Sequence, residues 1–135
     1  MYTENDMSFP LLRLEDAYVI PTKQFFIWDD GRTPFGADLR EATLVDRSGV
    51  VWRILEAKRV ALPRKGFLSR QRYARQYQLD QRGGMSLAEV KAAIVPVIKA
   101  ETLLWRPSER VDAIVTRIES ARDMVEISDA AKDLG

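Results

Sequence analysis

The chain has 135 residues with 21 Lys and Arg against 20 Asp and Glu, a formal net charge of +1, and contains neither cysteine nor histidine. Without cysteine there are no disulfides, thiolate nucleophiles or zinc-thiolate sites, and nothing requires an oxidising compartment. Without histidine, serine-histidine-aspartate triads and histidine-ligated metallohydrolase sites fall away together. A chain of this length buries roughly two-thirds of its extended surface and suits one domain, so residues 1–135 are expected to form a single small, soluble, cytoplasmic α+β unit, with 1–12 as a flexible N-terminal tail. The start, Met1 to Asp6, is acidic and polar where a signal peptide would be basic and then apolar. The longest uncharged apolar run, Ala92 to Ile98, is far below the roughly 20 residues of a membrane span and contains Pro96. No membrane partner is expected.

In chain order, Ala17 to Ile20 and Gln24 to Trp28 are short runs rich in aromatic and β-branched residues, separated by Pro21 and closed by the turn signal Asp29-Asp30-Gly31. Two strands are expected there, then a loop over 32–40, which holds Pro34 and Gly36. Ala42 to Val45 and Val50 to Val60 flank Asp46-Arg47-Ser48-Gly49, the clearest hairpin signal in the chain. Alternation puts Val50, Trp52 and Ile54 on one face of the second strand and Val51, Arg53 and Leu55 on the other. Neither set is cleanly polar, so this strand is expected to be central and partly covered on both sides.

Residues 69–80 fit both a helix capped by Ser69 and a strand in which Tyr73, Arg75, Tyr77 and Leu79 alternate. The strand is preferred because Gln81-Arg82-Gly83-Gly84 then serves as a flexible link into a firm helix start. That start is Ser86-Leu87-Ala88-Glu89, a capping box. Leu87, Val90, Ile94, Val97 and Ile98 continue at helical spacing, with Pro96 expected to bend the helix or end it near 92–95. Ser108 opens a second helix with the stripe Val111, Ile114, Val115 and Ile118. A third, beginning at Asp123 with Glu126 three residues on, carries Met124, Ile127, Ala131 and Leu134, and its phase shift implies a break over 121–123. The expected architecture is an antiparallel sheet of about four or five strands in the first 80 residues, followed by two or three helices packed on one face. Trp28, Trp52 and Trp105 are expected in the core.

Charge is unevenly distributed. Residues 57–82 carry eight basic side chains and the single acid Asp80, a local excess of +7, with net-acidic stretches on either side. Phe67, Tyr73 and Tyr77 lie within that excess, and Arg with Tyr is the composition that interface hot spots favour. The expected binding residues are Arg64, Lys65, Arg70, Arg72, Tyr73, Arg75 and Tyr77. The partner they suit is an unidentified protein with an acidic surface. Single-stranded nucleic acid, with phosphates on the cations and bases stacked on the rings, is the alternative. Catalytic activity, cofactors and a bound metal are not expected. Gly83-Gly84 lacks a phosphate-loop pattern, and Asp29-Asp30-Gly31 reads as turn chemistry.

Two resemblances bear on function. Asp46 followed by Glu56-Ala57-Lys58 resembles the PD-(D/E)xK nuclease family over about 13 residues. This implies a second alternative: a divalent ion held by Asp46 and Glu56, with Lys58 activating water. In size, compactness and lack of a catalytic motif the chain is similar to small bacterial immunity and adaptor proteins, which implies a non-catalytic protein-interaction module.

Overall fold

The computed structural model of the protein describes residues 2, 4–22, 27–28, 42–64, 66–69, 73–102 and 108–133, with the side chains at 4, 27–28, 56–60, 73–77, 101–102 and 108 outside that description. Six strands are found among these residues: β1 (Leu11–Arg13), β2 (Tyr18–Ile20), β3 (Ile27–Trp28), β4 (Thr43–Val45), β5 (Val50–Ala61) and β6 (Tyr73–Gly84). They form one sheet in the order β2-β1-β4-β5-β6-β3, with every pairing antiparallel. Three helices follow: α1 (Leu87–Thr102), α2 (Ser108–Glu119) and α3 (Met124–Lys132). The chain is therefore α+β, strands first and helices after, as its patterning requires.

The strands contribute alternate residues to two cores. Leu12, Val19, Val45 and Val51 turn to one face and pack with Val90, Ile94 and Ile98 of α1, Val111, Ile114, Val115 and Ile118 of α2, and Met124, Ile127, Ala130 and Ala131 of α3. Leu11, Ile20, Leu44, Trp52, Ile54 and Leu79 turn to the other face, where Met7 and Phe9 cover them. The segment expected as a tail contributes to this second layer: residues 11–13 form β1, Met7 is buried, and Tyr2 bridges to Leu79 and sets its ring edge-on to Trp52 at 5.2 Å. The turn from β1 to β2 is held by the Arg13 guanidinium on the Asp16 carboxylate, a pairing that raises the arginine pKa further, and by the Tyr18 N–H donating to Asp16 Oδ1.

The expected hairpin is the β4–β5 turn. Gly49 has φ +85°, and a Cβ there would lie 2.8 Å from the Met85 carbonyl oxygen, so the position requires glycine on both counts. β5 is central, between β4 and β6, with Trp52 and Ile54 in one core and Val51 in the other. The strand choice for 69–80 holds from Tyr73 onward. The Gly83-Gly84 pair, expected as a link, is the last part of β6, with Val50 paired to Gly84.

Helix boundaries follow side-chain capping. The Ser86 N–H donates to Glu89 Oε1 at 3.2 Å and the Glu89 N–H to Ser86 Oγ at 3.1 Å, the reciprocal box. α1 does not end near 92–95 but continues through Pro96. The carbonyl deprived of a partner is that of Ala92, and both Ala92 and Pro96 are exposed, so water replaces the missing bond at low cost. Lys91 Nζ donates to the carbonyls of Glu119 and Ala121, closing the C-terminal end of α2 with a cation from α1. Asp123 caps α3 by accepting from the Glu126 N–H at 2.9 Å, which fixes the break at 121–123.

Candidate functional site

β5 and β6 are 12 residues each and pair along almost their whole length. β4 reaches only Val51 to Arg53, so among the described residues Glu56 to Ala61 pair with β6 alone, and β3 meets β6 only at Tyr73 and Ala74. The result is a two-stranded ribbon extending from the sheet, with the basic segment on its distal half.

A β-bulge determines which residues share a face of that ribbon. Ile54 pairs with Leu79 but Glu56 with Gln78, leaving Leu55 unpaired and 53% exposed. Before the bulge, even-numbered positions of β5 belong to the face of Trp52 and Ile54. Beyond it the parity reverses, so positions 57, 59 and 61 pair with 77, 75 and 73, which share the parity of Leu79. Arg59 is thereby the direct partner of Arg75, flanked by the pairs Ala57–Tyr77 and Ala61–Tyr73. Two cations and two tyrosines thus belong to one face, the one opposite the helices. Lys58 pairs with Gln76 at positions of the other face.

Of the expected binding residues, Tyr73, Arg75 and Tyr77 are brought to neighbouring positions on β6. Arg64 is exposed just beyond β5, while Lys65, Arg70 and Arg72 lie outside the described residues. Arg59 was not among the expected residues. Simple alternation groups it with Arg53 and Leu55, and only the bulge moves it to the tyrosine side. Arg82, at the proximal end, is committed to Asp80 through a 2.8 Å ion pair.

The nuclease arrangement does not assemble. Asp46 is 1% exposed, and its carboxylate accepts from the backbone N–H of Ser48 (2.8 Å), Val50 (3.1 Å) and Ser8 (3.3 Å) and from Trp52 Nε1 (3.0 Å). Those bonds organise the hairpin turn and occupy its acceptor capacity. Glu56 lies six residues along β5 from Val50, roughly 20 Å of strand, and belongs with Lys58 to the sheet face opposite Trp52. Carboxylates sharing one ion must each reach it at about 2.0–2.6 Å. Among the described residues no group of three or more Asp and Glu is placed to hold a metal ion, and Asp29 and Asp30 lie outside them. Likewise Glu89 and Lys91, which repeat the acid-x-lysine spacing, are engaged in capping α1 and α2. Trp52 is buried as expected, whereas the side chains of Trp28 and Trp105 lie outside the described residues.

No described helix is long and apolar enough to cross a membrane. Comparison with protein-family models, curated proteins and solved structures finds no match.

Proposed function

We propose that the protein is a non-catalytic binding module of immunity or adaptor type, acting in the cytoplasm, which engages an acidic protein surface through the basic, tyrosine-bearing face of the β5–β6 ribbon. The observation that carries this reading is the pairing of Arg59 with Arg75 between two tyrosine positions. Like charges directly opposite each other destabilise a sheet. An anionic partner surface offsets repulsion between cations at paired strand positions. Arg64, Lys65, Arg70 and Arg72, which lie between β5 and β6 in the sequence, add to the positive charge that steers encounter, while Tyr73 and Tyr77 supply rigid apolar contact area with a hydroxyl handle. The other described parts of the chain hold the ribbon in place.

Capture of partners by the wild-type protein and by Arg75→Glu, followed by titration of the purified partner, tests the reading. The charge reversal is expected to weaken binding by roughly 100-fold and to flatten its salt dependence, with the thermal midpoint no lower than that of the wild type, because an opposite-charge pair replaces a like-charge one across the strands. A partner bound equally by both proteins contradicts it. Binding of mixed single-stranded oligonucleotides at low salt, falling steeply as salt rises, would instead favour a nucleic-acid partner on the same face.

A further inference from the structure

The N-terminal segment that covers the sheet face opposite the helices is held differently at its two ends. At Met7 to Phe9 it is fixed. Met7 is 7% exposed within the cluster of Leu11, Leu44 and Trp52, the Ser8 N–H donates to Asp46 Oδ2 at 3.3 Å, and the Ser8 carbonyl accepts from the Arg47 N–H at 2.8 Å. At Tyr2 the segment rests on the surface: the residue is 43% exposed, its ring meets Trp52 edge-on, and its carbonyl accepts from the Leu79 N–H at 3.1 Å. Between these ends the short 3-10 helix Glu4–Asp6 lies against β6, with Asn5 and Asp6 exposed. The bridge from Tyr2 to Leu79 is antiparallel, so the chain leaves Tyr2 in the direction of Gln78 and Tyr77.

Place and charge together give this segment a role. Tyr77 shares the parity of Leu79 and follows it by roughly 7 Å along the strand, so Tyr2 and the turn after it adjoin the proximal end of the face assigned to Tyr77, Arg75 and Arg59. Residues 2–9 include the acids Glu4 and Asp6 and neither Lys nor Arg. An acidic stretch beside a basic face brings the same charge that an acidic partner would bring. We propose that Tyr2 to Asp6 form an autoinhibitory flap, which lies beside the basic face in the free protein and swings away on the anchor at Met7 to Phe9 when an acidic partner docks. The inference rests on the partner reading above and adds regulation to the same site. While the flap is closed the fraction of molecules ready to bind is reduced, and apparent affinity falls by that fraction. Opening uncovers an edge of Trp52 but leaves the buried Met7 in place, so it is a local event and not an unfolding of the second core.

Titration of the full chain with polyglutamate, an acidic probe without a fold of its own, tests this. Glu4→Gln/Asp6→Asn is expected to bind the probe roughly fivefold more tightly than wild type, because the closed flap loses the charge that competes with it. Glu109→Gln/Asp112→Asn raises the net charge by the same amount at exposed positions of α2 and is expected to leave the affinity within about twofold of wild type at physiological salt, where distant charges are screened. Amide hydrogen exchange of the wild-type protein reads the motion itself. In the probe complex the Leu79 N–H is expected to exchange faster than in the free protein, while the Arg47 N–H, bonded to the anchor, keeps its protection. Equal affinity of wild type and the flap variant, an equal gain from the α2 variant, or unchanged Leu79 exchange would overturn the flap and leave the basic face standing. Failure of polyglutamate to bind either protein at low salt would remove the basic face and the flap with it.

Discussion

Replacing Asp46 by alanine is expected to lower the unfolding free energy by about 3 kcal/mol, one of the two largest single-residue losses we anticipate. The carboxylate is buried at the β4–β5 turn and accepts four hydrogen bonds, three from backbone N–H groups and one from Trp52 Nε1. Ser48 and Val50 lie in the hairpin itself, while Ser8 and Trp52 tie that hairpin to the N-terminal segment and to the second core. Truncation leaves the indole N–H without its acceptor inside a packed cluster, and such an unmet donor costs more than the bond contributed. Asp46→Asn keeps one carbonyl oxygen in place and is expected to lose about half as much. Urea unfolding checks both: the midpoint should fall in the order wild type, Asn, Ala, with the denaturant slope unchanged. A loss below about 1 kcal/mol for alanine would contradict the assignment of Asp46 as the structural centre of the turn.

A comparable loss, about 3 kcal/mol, is expected for Ile94→Ala. Ile94 is 0% exposed and sits on α1 within the cluster formed by the helices and the sheet residues Leu12, Val19, Val45 and Val51. The substitution removes buried methyl groups and leaves a space that neighbours on a sheet and on packed helices can only partly fill. The better helix propensity of alanine returns a few tenths of a kcal/mol and does not change the sign. Ile94→Val, which removes one methylene, is expected to cost about 1 kcal/mol. Thermal and urea unfolding of the pair measure the gradient. Equal stability of all three proteins would mean that α1 does not pack its Val90, Ile94 and Ile98 edge on the sheet.

Local chemistry made much of this fold readable. The Ser86 and Glu89 box, the Val111 to Ile118 stripe, the Asp123 cap and the Asp46 to Gly49 turn each depend on residues within a few positions of one another. Those patterns carry their own physical cause, and all four appear where the sequence puts them. Features that depend on distant partners were not legible. β1 is only three residues long, and its identity as a strand comes from pairing with both β2 and β4. Pro96 is a helix breaker by propensity, yet α1 runs through it because the affected carbonyl belongs to the exposed side of the helix.

The candidate site was legible in its chemistry and less so in its geometry. The concentration of arginine and tyrosine over 57–82 needs only counting. The face those residues occupy depends on the bulge at Leu55, because one extra residue reverses the alternation of everything beyond it. Arg59 enters the site for that reason, and Glu56 and Lys58 are carried to the face away from Asp46 by the same step. The acid pattern that resembles a nuclease is thus continuous in sequence and divided in space.

The account rests on Arg59 and Arg75 acting as one docking element, and a double-mutant cycle on the purified complex tests this most directly. Arg59→Ala, Arg75→Ala and the double variant are titrated against the same partner. Residues meeting one anionic surface at directly paired strand positions should each weaken binding, and their combined loss should differ from the sum of the single losses by more than about 0.5 kcal/mol. Single losses that simply add, or that are absent, would contradict a contiguous basic site on the β5–β6 ribbon.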